Sequence, residues 1–441
     1  MRRLTNLLPH QEIAFKKIAK NKVGALFMEM GTGKTRTVIE ILNDKIERNK
    51  INKILYCCPF SIINNVKEQF LMHCPDMLNI TKICGIESLS LSNNLYLDIL
   101  KYVDDKTAMI VDESTLIKNY GAKRSKRIIN IGEACKYRYI LSGNPVPRNI
   151  ADLFSQLFFL SPAILEYTSW YEFSREHIIF DDKYKGRIRR TKNEDYIAEK
   201  MQPYVFQIKK SECLKLPEKN FENRYCSSSR DEYIEYKNIK ERYFEIILEN
   251  PNGMDFCAML LELLHFSATI KSRIDLLKKV IDEINLNDNK IIIFCRHLDI
   301  QEEVFNSLKD NYCVYSVNGK TKKRESILND FKKNGQILIL NYGIGSYGLN
   351  LQEANYAIYY ENIFDYGLLE QSESRIHRFG QDKKCYYITF TSDLKIEDLV
   401  NTNITKKINT IKWFEEEIRK VNLCEEKDKR LYLRRIFEEV L

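Results

Sequence analysis

Short apolar segments alternate with longer amphipathic segments in two separate parts of this chain of 441 residues. The apolar segments have the composition of buried strands, and they occupy residues 23–27, 53–58, 108–111 and 137–141 in the first part and residues 290–294, 312–316, 336–340, 356–360 and 385–390 in the second. Buried strands that alternate with helices are typical of parallel sheets covered by helices on both faces. The pattern therefore predicts an α/β fold with two tandem, doubly wound parallel-sheet domains.

The stretch between the two series differs from both in composition. Residues 167–269 are charged, contain a basic run at 183–192 and are interrupted by Pro203 and Pro217, so we expect a mostly helical insert and linker. After residue 394 the chain is amphipathic and shows no further strand pattern. The sequence thus predicts four parts, which are a first domain at 1–166, the insert at 167–269, a second domain at 270–394 and a C-terminal helical segment at 395–441.

A glycine-rich turn lies between the first predicted strand and a helix-like segment that begins at Arg36. The turn carries the pattern Gly-x-Gly-Lys-Thr in the residues Gly31, Thr32, Gly33, Lys34 and Thr35. Such a turn lets successive backbone N–H groups approach a phosphate at the start of a helix. We predict that these five residues bind ATP, that Lys34 contacts the β- and γ-phosphates, and that the Thr35 hydroxyl binds Mg²⁺.

Two acidic residues, Asp112 and Glu113, follow the apolar segment at 108–111. Parallel strands deliver such residues to the sheet edge where nucleotides bind, so we expect both near the phosphate loop. Asp112 is predicted to hold Mg²⁺ through water, and Glu113 to orient and deprotonate the attacking water. Two acids after an apolar run are also common where a strand simply ends, so this prediction depends on the phosphate loop.

A segment nearer the C-terminus carries Arg375 and Arg378, three residues apart. On one helix these residues would share a face. We predict that they act as arginine fingers, which neutralise the charge that develops on the γ-phosphate. The alternative is a pair of surface arginines that form ion pairs with Glu370 or Glu373. His377, between the two arginines, is expected to pack or to hydrogen-bond rather than to catalyse.

The composition is that of a folded protein with a basic surface. Hydrophobic residues make up 44% of the chain and charged residues 29%, which is typical of packed cores, and the net charge of +8 is compatible with an acidic partner. The 12 cysteines are scattered and form no Cys-x-x-Cys pair, so we expect reduced thiols. No apolar run reaches the ~20 residues that span a bilayer, and the N-terminus lacks the apolar core of a signal peptide. We therefore expect a cytoplasmic protein without membrane contact.

Several segments together resemble the Swi/Snf-type ATPases, a branch of the superfamily two helicases. The segment LSGNPVPRNIADLFSQL at 141–157 resembles the third motif of that family, and QSESRIHRFGQ at 371–381 resembles its last motif. Further segments match in the family's order, at residues 8–11, 58–61, 112–119, 291–295, 318–331 and 345–351. The resemblance spans most of the chain, from Leu7 to Phe390.

The resemblance implies two RecA-like domains and an ATP-dependent activity on DNA. It places Gln11 at the adenine and adds Gly345 to the residues that bind ATP. It also implies contacts to DNA phosphates, which position the DNA without reading its sequence, at Ser61, Lys118, Asn119, Asn350 and Leu351. The chain is as compact as the versions carried by bacteria and their phages, so we expect it in a bacterial or phage-infected host cell.

The predicted function is that of a DNA-dependent ATPase that couples ATP hydrolysis, at a cleft between the two domains, to translocation on duplex DNA. Its catalytic residues would be Lys34, Glu113, Arg375 and Arg378. We recognise no strand-separating element in the sequence. Two alternatives stay open, a strand-separating helicase of a restriction, repair or replication system and a nucleotide-gated DNA-binding module that hydrolyses ATP slowly. We expect a monomer in solution.

Overall fold

The computed structural model describes residues 1–143, 149–181, 186, 188–345, 349–405, 420–421 and 426–439. The chain forms two compact units, Met1–Lys215 and Leu216–Leu441. Parts of four segments from the sequence analysis lie outside the described residues. They are 144–148 in the third motif, 182–185 and 187 in the basic run, 346–348 in the segment 345–351, and 406–419, 422–425 and 440–441 in the C-terminal segment.

The first unit is built on a six-stranded parallel sheet with the strand order β3-β2-β4-β5-β1-β8. Its strands are β1 (Val23–Met28), β2 (Lys53–Cys58), β3 (Thr81–Gly85), β4 (Thr107–Val111), β5 (Tyr137–Ser142) and β8 (Val205–Ile208). A separate antiparallel pair is formed by β6 (Ile178–Phe180) and β7 (Ile188–Thr191). Every residue of β1 and β4 is buried, which is expected of central strands covered on both faces.

Helices follow most strands of the first unit. They are α1 (Pro9–Ile18), α2 (Lys34–Glu47), α3 (Ile63–His73), α4 (Ile86–Leu91), α5 (Asn93–Tyr102), α6 (Lys123–Glu133), α7 (Ala151–Leu160), α8 (Trp170–His177), α9 (Glu194–Met201) and α10 (Lys210–Cys213). Short 3₁₀ helices lie at Phe60–Ile62, Pro75–Ile80, Ser114–Ile117, Pro162–Ile164 and Gln202–Tyr204. Phe154 of α7 is fully buried and contacts the rings of Tyr120, Phe158, Trp170 and Phe173, so that an aromatic cluster anchors α7 and α8.

The second unit repeats the plan with a six-stranded parallel sheet in the order β11-β12-β10-β13-β14-β9. Its strands are β9 (Lys219–Cys226), β10 (Ile291–Cys295), β11 (Val314–Val317), β12 (Ile337–Asn341), β13 (Tyr356–Tyr359) and β14 (Cys385–Ser392). Its helices are α11 (Arg230–Glu249), α12 (Gly253–Thr269), α13 (Lys271–Asp282), α14 (Leu298–Leu308), α15 (Arg324–Asn334), α16 (Tyr342–Gly345), α17 (Tyr366–Ile376), α18 (Ile396–Thr405) and Glu426–Glu439.

A buried ion pair and its hydrogen bonds join four elements of the second unit, which are α12, α13, β14 and α18. The guanidinium of Arg273 in α13 is fully buried and donates to both carboxylate oxygens of Glu397 in α18, at 2.7 and 3.1 Å. It also donates to the main-chain oxygens of Ser267, Tyr360 and Phe390. Glu397 in turn accepts from the main chain and hydroxyl of Ser392. The network satisfies a charge pair that would otherwise be costly to bury.

The two parallel sheets confirm the predicted fold class of two doubly wound domains. All nine predicted strands are present, with ends that differ by two residues or fewer. The prediction missed β3 and the four strands β6 to β9. Those four lie within residues 167–269, which were expected to be mostly helical and instead contribute one strand to each six-stranded sheet and form the antiparallel pair of β6 and β7. The division at Lys215 also falls inside this stretch, and the four-part division stays a prediction.

Within the described ranges, no single helix is both long and apolar enough to cross a bilayer, and only the pair α12 and α13 reaches that length together, across a bend of 57°. The cysteines of the described residues are free thiols. In the same part of the chain, no group of three or more His, Cys, Asp or Glu side chains is arranged to hold a metal ion.

Candidate functional site

The phosphate loop connects β1 to α2 and depends on two glycines with left-handed backbone. Gly31 has a φ of 83° and Gly33 a φ of 88°, and residues with a Cβ atom rarely adopt such angles. A Cβ at Gly33 would also lie 2.1 Å from Nε2 of Gln11. The backbone angle thus requires glycine at this position, where α2 begins, and a Cβ would also displace the amide of Gln11.

Gln11 and His10 contact the main chain of the phosphate loop. Nε2 of Gln11 donates to the main-chain oxygen of Thr32 at 3.1 Å, and Nε2 of His10 lies 2.8 Å from the same oxygen. Oε1 of Gln11 accepts from the main-chain N–H of Leu8 at 3.0 Å. The structure therefore places Gln11, predicted to contact adenine, against the loop, and its adenine contact stays a prediction. The sequence analysis did not single out His10.

The side chains of the loop are fixed by the strand and turn before it. Nζ of Lys34 donates to the main-chain oxygen of Met28 at 3.0 Å, and the hydroxyl of Thr32 donates to the main-chain oxygen of Glu29 at 2.7 Å. Gly143, just after β5, lies against the loop, because a Cβ there would be 3.7 Å from Nζ of Lys34. The loop is thus preformed in the protein, with its lysine at the carboxyl edge of the sheet.

Asp112 lies at the same edge, one residue beyond β4. Its Oδ2 accepts a hydrogen bond from the hydroxyl of Tyr56 at 2.8 Å, and its Oδ1 accepts from the N–H of Glu113 at 2.9 Å. Burial and the neighbouring charge of Glu113 raise the pKa of Asp112 to about 6, whereas Lys34 opposes this shift. Thr35 faces the phenol of Tyr56 from the loop and acts to lower its pKa, against burial, which raises it well above normal. Lys34, Thr35 and Asp112 therefore belong to one electrostatic network.

Glu113 has a left-handed backbone conformation, with φ at 48° and ψ at 56°. Such a conformation in a non-glycine residue is uncommon and is often found at functional sites. It marks the point where β4 ends and the 3₁₀ helix Ser114–Ile117 begins. The hydroxyl of Ser114 then donates to Oε1 of Gln156 in α7 at 2.6 Å, a link that the sequence analysis did not foresee.

The oxygen donors present at this edge fit Mg²⁺. The Thr35 hydroxyl and the Asp112 carboxylate are hard oxygen ligands, which Mg²⁺ prefers together with water and substrate phosphates. Two protein ligands are also the number that a nucleotide-bound Mg²⁺ commonly uses. The residues of the first unit thus suit a metal that is brought with a nucleotide rather than one held by the protein alone.

In the second unit, Arg375 and Arg378 converge on one main-chain oxygen. Nη1 of Arg375 and Nη1 of Arg378 lie 3.5 and 3.4 Å from the oxygen of Leu349, and Arg378 also donates to the side chain of Asn350. The helix α17 ends at Ile376, so the two arginines do not share a helical face as their spacing predicted. They meet because the chain turns after the helix.

Burial argues against the alternative of two surface arginines. Arg375 is only 6% exposed, and burial lowers the pKa of Arg378. Glu373, one of the predicted partners, forms an ion pair with Lys219 at 2.8 Å. Nε2 of His377 lies 2.9 Å from the main-chain oxygen of Pro217, in line with the hydrogen-bonding role expected for it.

The predicted DNA-contact residues differ in exposure. Ser61 is exposed in the 3₁₀ helix Phe60–Ile62, and Asn119 is exposed next to the partly buried Lys118. Asn350 is partly buried by its contact with Arg378. The side chain of Leu351 is fully buried in the core, so only its main chain could face DNA.

Gly345, predicted to bind ATP, ends the short helix α16, directly after β12. It lies just before residues 346–348, which are outside the described part of the chain. The contact of Gly345 with ATP therefore stays a prediction.

The sheet, the loop after β1 and the acids after β4 together define a P-loop nucleotide-binding protein of the doubly wound class. Two family models match consecutive segments of the chain, the "SNF2-related domain" at residues 86–271 and the "Helicase conserved C-terminal domain" at residues 272–380. Together they span about two thirds of the chain. The chain belongs to the SNF2-related family of helicase-like ATPases, as its motifs predicted.

Curated relatives show the same likeness at low identity. An uncharacterized ATP-dependent helicase of Mycoplasma pneumoniae is 24% identical over 438 residues, which cover 90% of this chain and 41% of the relative. An ISWI chromatin-remodeling complex ATPase of Arabidopsis thaliana is 24% identical over 437 residues, which cover 87% of this chain and 40% of the relative. The chain thus spans about two fifths of the length of these relatives.

Among solved structures, the Sulfolobus solfataricus SWI2/SNF2 ATPase core in complex with dsDNA is similar, with a TM-score of 0.43 and 21% identity. The likeness covers 97% of each chain.

Proposed function

We propose that this protein is a DNA-dependent ATPase that couples ATP hydrolysis to translocation on duplex DNA without separating the strands. The observation that carries the proposal is the joint placement of Lys34, Thr35 and Asp112 at one sheet edge, in a chain of the SNF2-related family. Relatives named as chromatin-remodeling ATPases favour duplex DNA as the track. The protein would act as a monomer in the cytoplasm of a bacterial or phage-infected cell.

In the proposed reaction the phosphate loop binds the triphosphate. The N–H groups from Gly31 to Thr35 face the β-phosphate, and Lys34 leaves the oxygen of Met28 to contact the β- and γ-phosphates. Gln11 stays with the loop and extends toward the adenine. Bound Mg²⁺, held by the Thr35 hydroxyl and through water by Asp112, would neutralise phosphate charge.

Glu113 acts as the general base in this proposal. It follows the metal ligand Asp112 directly, so its carboxylate is available to the water that attacks the γ-phosphate. Its left-handed backbone directs it away from the path that a regular strand would take. A Glu113→Gln variant should bind ATP and hydrolyse it slowly, since the amide keeps the shape and removes the base.

Arg375 and Arg378 complete the catalytic set from the second unit. We propose that they neutralise charge on the γ-phosphate in the transition state, a role worth ~10³–10⁵ in rate in related phosphoryl transfers. The shared oxygen of Leu349 holds both guanidinium groups at one place before ATP binds. Either arginine replaced by alanine should keep ATP binding within roughly tenfold and lose nearly all DNA-stimulated hydrolysis, because the arginines act on charge that develops later.

DNA contacts in the proposal come from polar groups in both units that are exposed or partly buried. Ser61, Lys118 and Asn119 in the first unit, and Asn350 with the main chain of Leu351 in the second, would contact the phosphate backbone. Such contacts position the DNA without reading its sequence. Binding should therefore depend strongly on salt and hardly at all on the base sequence.

Steady-state ATP hydrolysis tests the proposal. The rate is measured without nucleic acid, with single-stranded DNA, with duplex DNA and with duplex RNA, and the Lys34→Ala variant serves as the inactive control. We expect strong stimulation by duplex DNA alone. Equal stimulation by single-stranded DNA would favour the strand-separating helicase, and a slow rate that no nucleic acid changes would favour the nucleotide-gated binding module.

A further inference from the structure

An open, basic cavity lies on the first unit, and no residue of the phosphate loop lines it. Its volume is about 400 Å³, which falls in the range of ligand sites, ~300–1,000 Å³. It lies between α5 and the start of α6 and is lined by Tyr96, Gly121, Lys123, Lys126, Arg127 and Asn130. Three of these six residues are cationic and none is acidic. An anion is therefore the ligand that the lining suits.

One wall of the cavity is held rigidly by Arg127. Nη1 of this arginine donates to the main-chain oxygens of Leu89 and Ser92 at 2.6 and 3.1 Å. Its other terminal nitrogen donates to the side chain of Asn93, and its guanidinium lies 4.7 Å from the ring centre of Tyr96. The arginine thus fastens the junction of α4 and α5 to α6. Its charge is shared with these carbonyls, so it shapes the cavity more than it binds.

Two lysines supply the positive charge of the cavity that is available to a ligand. Lys123 and Lys126 are exposed and, among the described residues, neither makes an ion pair. They lie three residues apart in the first turn of α6, so their side chains project from one face. The nearest acid along the helix is Glu133, at its far end. Two unpaired lysines at the mouth of a cavity attract an anion without a competing partner.

Apart from Tyr96, the residues that line the cavity closely follow two of the predicted DNA-contact residues, Lys118 and Asn119, along the chain. Oδ1 of Asn119 accepts from the N–H of Gly121 at 3.0 Å, and the oxygen of Asn119 accepts from the N–H of Ala122 at 3.1 Å. A tight turn therefore leads from Asn119 directly into the wall of the cavity and the first turn of α6. A DNA backbone that meets Lys118 and Asn119 would reach the lysines next.

We propose that this cavity is a second phosphate-binding site for duplex DNA, in which Lys123 and Lys126 each contact a backbone phosphate. The inference rests on the proposed function, since it extends the DNA track across the first unit. Lysine contacts of this kind hold the polyanion by charge and release condensed counterions. A flexible lysine pair adapts to successive phosphates, whereas the fixed Arg127 keeps the cavity open.

The test measures binding of a fluorescent 30-base-pair duplex by anisotropy over a range of salt concentrations. The double variant Lys123→Gln/Lys126→Gln is compared with the wild type. A matched control, Lys50→Gln/Lys106→Gln, removes two exposed lysines next to the amino ends of β2 and β4. Because each phosphate contact contributes about 0.9 to the slope of log K against log salt, we expect the slope to fall by about 1–2 in the double variant and to stay unchanged in the control.

The expected loss of affinity is more than about tenfold at ~0.1 M salt, equal for two unrelated sequences. Lys123→Arg/Lys126→Arg, which keeps the charge, should retain the wild-type slope, and hydrolysis without DNA should be the same in all variants. An unchanged slope in the glutamine variant would overturn the inference. So would loss of binding to duplex RNA alone, or displacement of the DNA by millimolar inorganic phosphate at constant ionic strength, because the site would then serve another ligand.

The failure of this inference can be told apart from failure of the proposed function. If the wild type binds no duplex DNA at all, the proposed function itself is wrong. If the wild type binds duplex DNA and the glutamine variant binds equally well, only the second phosphate site is wrong.

Discussion

The hydroxyl of Tyr56 donates a hydrogen bond of 2.8 Å to Oδ2 of Asp112, and both side chains are buried at the carboxyl edge of the first sheet. The opposite oxygen of Asp112 is held by the N–H of Glu113. Two donors on two oxygens fix the orientation of the carboxylate. Tyr56 also faces Thr35, so one phenol lies beside both residues proposed to hold Mg²⁺.

Removal of that hydroxyl should weaken the response to Mg²⁺. In Tyr56→Phe the Asp112 carboxylate loses one of its two donors, so we expect a several-fold higher Mg²⁺ concentration for half-maximal stabilisation of the ATP complex. The measurement is the thermal shift with ATP at increasing Mg²⁺. Tyr139→Phe is the matched control, since Tyr139 is equally buried in β5 and its hydroxyl contacts the oxygen of Asn21 instead. Equal Mg²⁺ dependence in both variants would contradict the role of Tyr56.

Gly33→Ala should abolish nucleotide binding while the sheet stays folded. The left-handed backbone at this position costs a side chain about 1–2 kcal/mol, and the new Cβ would collide with Gln11. We expect no thermal shift with ATP. Gly319→Ala, in the second unit, is the control, because a Cβ there meets nothing within 4 Å. Normal ATP binding by Gly33→Ala would show that the loop does not need this conformation.

Arg273→Met should destabilise the second unit by about 3–5 kcal/mol, the cost of breaking a buried ion pair. The change leaves the buried carboxylate of Glu397 without its cationic partner and removes the donor to the main-chain oxygens that Arg273 contacts. Hydrogen exchange in β14 and α18 should then accelerate. The exposed pair of Arg242 and Glu262 offers a control, as Arg242→Met should cost less than about 1 kcal/mol. Similar effects of both substitutions would contradict the structural role of the buried pair.

His73 should make the first unit less stable in mild acid. Burial lowers the pKa of His73 to about 4, because the folded protein favours the neutral ring. Nδ1 lies 2.7 Å from the hydroxyl of Thr5, which itself accepts from Arg36 and can only donate to an unprotonated nitrogen. Since an unfolded histidine titrates near 6.5, stability is full above about 6.5 and is lost as the pH falls toward 4.

The measurement for His73 is the urea midpoint between pH 7 and 4. His73→Asn, whose Oδ1 can accept from Thr5 at every pH, should show a smaller decline than the wild type. Parallel declines would mean that other groups cause the acid sensitivity.

Local sequence patterns were enough to predict most of the fold and the phosphate loop. The strands from Val23 and from Lys53 were predictable because central parallel strands are continuous apolar runs, and the loop because its glycines and lysine are contiguous. The strand Lys219–Cys226 was not, since it is an edge strand whose residues are mostly polar and half exposed. Its partner in the sheet lies more than 150 residues away along the chain, and no local signal reports such pairing.

In the site, too, features within one motif could be predicted from the sequence, and contacts between distant segments could not. The roles proposed for Lys34 and Asp112 come from their motifs. Tyr56, by contrast, lies in an ordinary apolar segment of the sequence, and its contact with Asp112 joins two neighbouring strands. The convergence of Arg375 and Arg378 also depends on a turn after the helix, which three-residue spacing alone could not indicate.

The central claim is motion along duplex DNA without strand separation, and a triplex-displacement assay tests it most directly. A labelled third strand is bound to a duplex, and release of that strand is followed together with separation of the two duplex strands. We predict that the wild type releases the third strand only with ATP, that the duplex stays paired, and that Lys34→Ala releases nothing. Hydrolysis of ATP on this DNA with no release of the third strand, or release accompanied by separation of the duplex strands, would contradict the account.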